Sequence, residues 1–262
     1  MRVLRSGWNA RRVTDPVLAT LETYYDAAPR PVATTEEVGP FTLFLRAEAA
    51  GWPYYARPRL GLGTEITSDD VRRARELQRQ RGVPETFEWV HETTPSLLQA
   101  ARDTGLTVEE CPLLVLRDVS ARAPGRRVEL VAADDDVLAL VVGAISAGFS
   151  GSDTVEPAKL TAQPRLIEAG LLSMAAAFDD DGAVVGGGSH SPRGGTTELT
   201  GIAVVPRARR RGVGEAITHV LVGDARDRGV ETVFLSAQDD AVARIYERVG
   251  FVRVGTACMA AP

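Results

Sequence analysis

Apolar and polar residues follow two spacings along this chain, and each change of spacing marks an element. A helix is expected over VTDPVLATLETYY (13–25). The tract YDAAPRPVATTEEVGP (25–40) has no apolar period and reads as loop. FTLFLRA (41–47) and WPYYARPRLG (52–61) cluster apolar and aromatic residues as strands do. SDDVRRARELQRQRG (68–82) reads as a helix, opened by Ser68 or Asp69 and stopped by Gly82. ETFEWVHE (85–92) is a strand, TPSLLQAARDTG (94–105) a helix and TVEECPLLVLR (107–117) a strand. VSARAPGRR (119–127) breaks the pattern with Pro124 and Gly125 and reads as a linker.

The second half opens with the strand VELVAA (128–133), and Asp134 to Asp136 can cap the helix DDVLALVVGAISAGF (135–149). A looser segment leads to two strands joined by a turn at Asp180, Asp181 and Gly182. TELTGIAVV (197–205) is a strand and VGEAITHVLVGDARDRG (213–229) a helix. In that helix Val213, Ala216, Ile217, Val220 and Leu221 form one stripe, which predicts packing on a sheet, with Glu215 and Asp224 in solvent. ETVFLSA, DDAVARIYERVG and FVRVGTACM add a strand, a helix and a strand. This order repeats that of the first half, so strands and helices alternate in an α/β arrangement of sheets covered by helices.

Composition narrows the class. The 262 residues are 44% hydrophobic and 25% charged, enough apolar material for a core, and the formal net charge is −5. A broad nucleic-acid-binding face would need the opposite charge balance. Cys111 and Cys258 supply neither a disulfide framework nor a thiolate cluster, which suits a reducing cytoplasm. No signal peptide is read at the start, and the longest apolar tracts are too short or too punctuated to span a bilayer. The three histidines have no metal-ligand spacing, so no metal is expected.

One stretch stands against the acidic background: PRARRRGVGEA (206–216) puts four arginines and two glycines at a strand-to-helix junction. A helix N-terminus leaves backbone N–H groups unsatisfied and favours anions, and glycines let a phosphate approach them. The stretch is neither a Walker A loop nor a dinucleotide fingerprint. A merely solvated turn is the competing reading.

TELTGIAVVPRARRRGVGEAI, together with DDAVARIYERVGF, resembles the GCN5-related N-acetyltransferase (GNAT) family over residues 128–260. The resemblance implies a GNAT-like mixed sheet flanked by helices, with two structurally similar domains in tandem: 1–120, degenerate or accessory, and 127–262, binding acetyl-CoA. In the first half GTEITSDDV stands where the loop would be. By the same resemblance Arg209, Gly212 and Gly214 are the motif positions of a diphosphate loop. Backbone contacts then fall on Arg210, Arg211, Val213, Gly214 and Glu215, with Ala216 close by. Ile202, Ala203 and Val204 become the pantetheine-binding strand, with an oxyanion-stabilising amide at or beside Ile202.

Tyr246 is implied as the general acid at the sulfur, against an ordinary half-buried aromatic. Glu198 is implied as the general base, directly or through water, against a carboxylate paired with a cation. Asp239 is a pantetheine contact or simply a helix cap, and Ser236 is a weaker contact. His190 could reach the acceptor cleft, though a hairpin or surface position is the commoner fate of such a residue. The segment 148–170 should shape the acceptor pocket, with Trp52, Tyr54 and Tyr55 as cleft or core aromatics.

The activity implied is acetyl transfer from acetyl-CoA to a primary amine, on a small molecule or a protein, in a ternary complex. No acyl-enzyme nucleophile is visible. The alternatives are an inactive CoA-binding or regulatory module and, more remotely, nucleic-acid binding through the arginine run. No nucleic-acid or membrane partner is expected, and both monomer and homodimer stay open.

Overall fold

The computed structural model describes residues 15–46, 55–119 and 125–262, so Trp52 and Tyr54 lie outside the described residues. Helix α1 (Pro16–Ala27) begins where Asp15 accepts from the Val17 amide and Pro16 presets the first turn. Its buried face is Leu18, Leu21, Tyr24 and Tyr25. Strands β1 (Ala33–Val38), β2 (Phe41–Arg46) and β3 (Ala56–Pro58) follow, then α2 (Ser68–Gln80), β4 (Phe87–Val90), α3 (Ser96–Arg102) and β5 (Thr107–Leu116). The second half runs β6 (Val128–Val131), α4 (Val137–Ser150), α5 (Gln163–Glu168), β7 (Ser173–Phe178), β8 (Val184–His190), β9 (Thr196–Val204), α6 (Val213–Asp227), β10 (Thr232–Ser236), α7 (Asp240–Val249) and β11 (Phe251–Ala261).

Three local expectations are corrected. The tract 25–40 is not all loop, because β1 occupies its second part; as an edge strand with no buried position, it shows no apolar alternation. Helix α2 is capped by Thr67 rather than Ser68 or Asp69, in a reciprocal box with Asp70. Asp224 does not meet solvent: its side chain is 11% exposed and is held between His190 and Arg228.

Among the described residues the strands form one eleven-stranded sheet, ordered β1-β2-β3-β4-β11-β5-β10-β9-β8-β7-β6. The two halves exchange their terminal strands. β11 lies between β4 and β5, and β5 lies between β11 and β10. The β5–β11 pairing is antiparallel from Phe251↔Leu116 to Ala261↔Thr107. The linker region therefore divides the chain without dividing the sheet.

Alternation along each strand assigns the helices to faces. Ala175 and Ala177 of β7 enter the core under α6 and α7, whereas Met174 and Ala176 enter the core under α4. Phe234 of β10 packs with α1, while its neighbours Val233 and Leu235 face α6 and α7. Phe87 and Trp89 of β4 face α2 and α3, and Val90 faces α1. Hence α1 covers the opposite face from α6 and α7. The glycine run of β8 allows this close layering: a Cβ on Gly188 would come within 2.8 Å of Ile202 and 3.0 Å of Ile217.

Candidate functional site

The site begins where two parallel strands part. β9 and β10 pair at Thr196↔Thr232, Thr197↔Val233 and Glu198↔Phe234, and nowhere beyond. From there β10 continues beside β5, while β9 continues beside β8 through a bulge near Gly201. Backbone N–H and C=O groups of 199–204 on the β10 side, apart from the Val204 carbonyl that Arg209 holds, are thus left to a wedge between the strands. Such groups need partners.

That wedge belongs to a cleft of ≈ 740 Å³. Its walls are Leu199 to Val204 of β9, the loop into α6, Ser236 to Gln238 at the end of β10 and just past it, and Val242, Ile245 and Tyr246 of α7. Gly148 and the 67% exposed Phe149, at the end of α4, close one side. This is the size of a small-molecule site.

At the head of the cleft the chain turns through Arg210 (φ 59°) and Gly212 (φ 78°) into α6. A non-glycine residue in the left-handed region costs about 1–2 kcal/mol, so the turn conformation at Arg210 is held by its surroundings. Gly212 is the N-cap, and no side chain caps the helix. Its first amides are therefore open to an anion. A Cβ added at Gly214 would meet nothing closer than Val204 Cγ2 at 4.0 Å, so the space over those amides is free.

The four arginines divide into two pairs. Arg207 binds Asp179 at 3.0 Å, and Arg209 donates to Val204 O at 2.9 Å and Gly148 O at 2.6 Å. These two fasten the loop to β9, α4 and the β7–β8 turn. Arg210 and Arg211 are exposed and make no side-chain hydrogen bond or ion pair with the described residues. They are the cations available to a ligand.

The counterpart in the first half cannot serve this way. A cleft of ≈ 990 Å³ opens beside the β3–α2 connection, but Thr67 and Asp70 close the amides of α2, and Asp69 adds negative charge. GTEITSDDV thus lacks both the open amides and the cations.

Tyr246 lines the first cleft, is 8% exposed and stacks edge-on to Phe251 at 6.1 Å. Burial pushes its phenol up to about 12, so it stays protonated at physiological pH. Ile202, Ala203, Val204, Arg209, Arg210, Gly212, Val213, Gly214, Glu215 and Ser236 are brought together around the same cleft. Arg211, Ala216, Asp239 and Glu198 are not among its lining. Ala216 is on the buried face of α6, and Asp239 caps α7 by accepting from the Val242 amide at 2.8 Å.

Glu198 is the last residue of β9 paired with β10, and it shares a face with its partner Phe234, the α1 face. Tyr25 Oη donates to Glu198 Oε1 at 3.2 Å. Burial, and next the charge of Glu88, push Glu198 up to about 8 against the pull of Tyr25 and Arg57. The wedge thus connects two chemistries, with anion-accepting amides toward α6 and a proton-accepting carboxylate toward α1.

His190 is in neither the cleft nor the surface. It is fully buried, with Nδ1 3.1 Å from Thr197 Oγ1 and Nε2 2.7 Å from Asp224 Oδ2. Burial holds its pKa below 6.5 despite Asp224. Folded His190 is therefore neutral where the unfolded chain would take a proton, and its stabilisation, full above pH 6.5, is lost as pH falls through the depressed value. The advantage in melting temperature of the wild type over His190→Gln should shrink as pH drops below 6.5. A pH-independent difference would contradict this.

Residues 145–251 match the model of the acetyltransferase (GNAT) family. The mycothiol acetyltransferase of Cellulomonas flavigena is 28% identical over 199 residues, which is 66% of this chain and 56% of that protein, so the match spans little more than half of the relative. A GCN5-related N-acetyltransferase from Kribbella flavida shares the fold with a TM-score of 0.72 over 94% of this chain and 95% of its own, at 21% identity. A tandem GNAT protein from the clavulanic acid biosynthesis pathway does so with a TM-score of 0.54, over 88% and 83%, at 15% identity.

Proposed function

We propose, from the match of residues 145–251 to the acetyltransferase (GNAT) family, that the protein moves an acetyl group from acetyl-CoA to a primary amine by direct transfer in a ternary complex. The carrying observation is the coincidence in one cleft of an uncapped helix N-terminus and an unpaired strand edge. The first suits a diphosphate. The second suits an amide-bearing arm, which can add to β9 as a strand would.

In this reading the amides of Val213, Gly214 and Glu215 hold the diphosphate, with Arg210 and Arg211 adding charge. Ile202, Ala203 and Val204 pair with the pantetheine arm, and an amide at or beside Ile202 supports the oxygen that gains charge. Glu198 takes a proton from the acceptor nitrogen on the α1 face. Tyr246 gives one to the leaving thiolate, for which a neutral phenol at the cleft wall is suited. Holding both reactants across the wedge supplies much of the acceleration. Asp239 acts as helix cap and contributes only by fixing the start of α7.

The test is a titration with acetyl-CoA followed by turnover against a panel of amines. Saturable binding and release of free thiol are expected; binding without release to any amine would leave a CoA-binding module instead. Tyr246→Phe should lower kcat by about 10²-fold with acetyl-CoA affinity unchanged. An unaltered kcat would remove the phenol from proton transfer.

A further inference from the structure

Beyond Glu198, the α1 face holds a charged group assembled from the other half of the chain. Arg57 of β3 is 3% exposed; its Nη2 lies 3.5 Å from Glu22 Oε2 and its Nη1 3.7 Å from Glu88 Oε2. The guanidinium sits over the Tyr25 ring, 4.1 Å from its centroid, and Tyr25 donates to Glu198. Tyr55 hydrogen-bonds Glu88. Glu88 and Glu198 are thereby joined through one cation and one phenol, although their strands stand four places apart in the sheet.

The surroundings contain few other charges. Glu22, Tyr24 and Tyr25 face the group from α1, Arg57 from β3 and Tyr55 from just before it, and Glu88 from β4. Arg193, before β9, acts on Tyr24 and donates to Ala28 O. One guanidinium, lying against Glu22 and Glu88 and pulling more weakly on Glu198, cannot neutralise three carboxylates. Ionisation of one carboxylate opposes that of the next.

We propose that Glu88 is a positioning residue for Glu198: through Arg57 and Tyr25, the half of the chain outside the matched domain sets how firmly Glu198 holds a proton. This rests on the role of Glu198 argued above. An incoming ammonium offsets the crowded negative charge and lets Glu198 release its proton to solvent. Glu198 then takes one ammonium proton, freeing the nitrogen lone pair. The C–N bond forms as the C–S bond breaks, the thiolate takes the Tyr246 proton, and the second nitrogen proton leaves through solvent to restore the phenol. Burial raises Glu88 itself to about 7 against the pull of Arg57 and Tyr55.

The test uses the full chain labelled with carboxyl-13C glutamate, titrated by NMR, with Glu198→Gln to assign the signal. Glu88→Gln should weaken proton binding at Glu198 by about tenfold or more. Glu88→Asp, which keeps the charge, should restore it. Tyr55→Phe removes the hydrogen bond on Glu88 and gives a smaller shift in the same direction; it carries the test if Glu88→Gln does not fold. A Glu198 midpoint unmoved in the variant used, or Glu88→Asp behaving like Glu88→Gln, overturns the proposal. Acetyl-CoA binding measured on the same samples separates the two readings. Normal binding with an unmoved midpoint overturns this inference alone, and absent binding with a moved midpoint overturns only the transfer reading.

Discussion

Gly214→Asp is expected to leave the protein folded and to weaken acetyl-CoA binding by about 100-fold or more. The two halves of this expectation come from different physics. An added Cβ would find no atom nearer than 4.0 Å, and an acidic residue in the first turn of a helix is favourable by about 0.3–1 kcal/mol. The same carboxylate would occupy the space over the open amides and repel a diphosphate. A charge-assisted hydrogen bond is worth about 1.5–3 kcal/mol, so losing one or two accounts for the factor. Calorimetric titration beside a thermal melt decides it. A stable variant that binds acetyl-CoA as tightly as the wild type would remove the loop from cofactor recognition.

Glu198→Gln is expected to lower kcat/KM by about 10²–10⁴-fold near neutral pH and to change the shape of the pH profile. With Glu198 raised to about 8, the wild-type rate should climb as pH rises through that value, since only the ionised form accepts a proton. The Tyr246 acid, at about 12, imposes no limit in that range. Glutamine keeps the volume and loses the titration, so the climb should vanish. If the variant shows the same climb, the amine loses its proton to solvent before it binds, and Glu198 is not the base.

The donor side of this site was legible in the sequence because it depends on local backbone. Gly212 and Gly214 mark an open helix start within a few residues of a strand end, and that grouping survives whatever the rest of the chain does. Side-chain roles were less legible. Arg209 reads as a phosphate ligand until Val204 and Gly148 carbonyls are seen to hold it. His190 and Asp224 are 34 positions apart and meet only after β8 and α6 pack. The acceptor side was invisible for a stronger reason. Arg57 and Glu88 sit in two short strands that look unremarkable, and they approach Glu198 only because α1 lies over both halves. β1 is silent in the sequence because an edge strand with no buried position carries no alternating apolar signal.

The crossing of β5 and β11 also dictates when the molecule can be finished during synthesis. β4 and β5 emerge early, yet the strand that separates them spans Phe251–Ala261. Until those residues clear the ribosome, β4 and β5 each present an unpaired backbone, the kind of edge that invites a wrong neighbour. The nascent first half must therefore wait, incomplete, for more than a hundred residues to follow it. A stop codon just before β11 would damage both halves at once, although it removes part of only one.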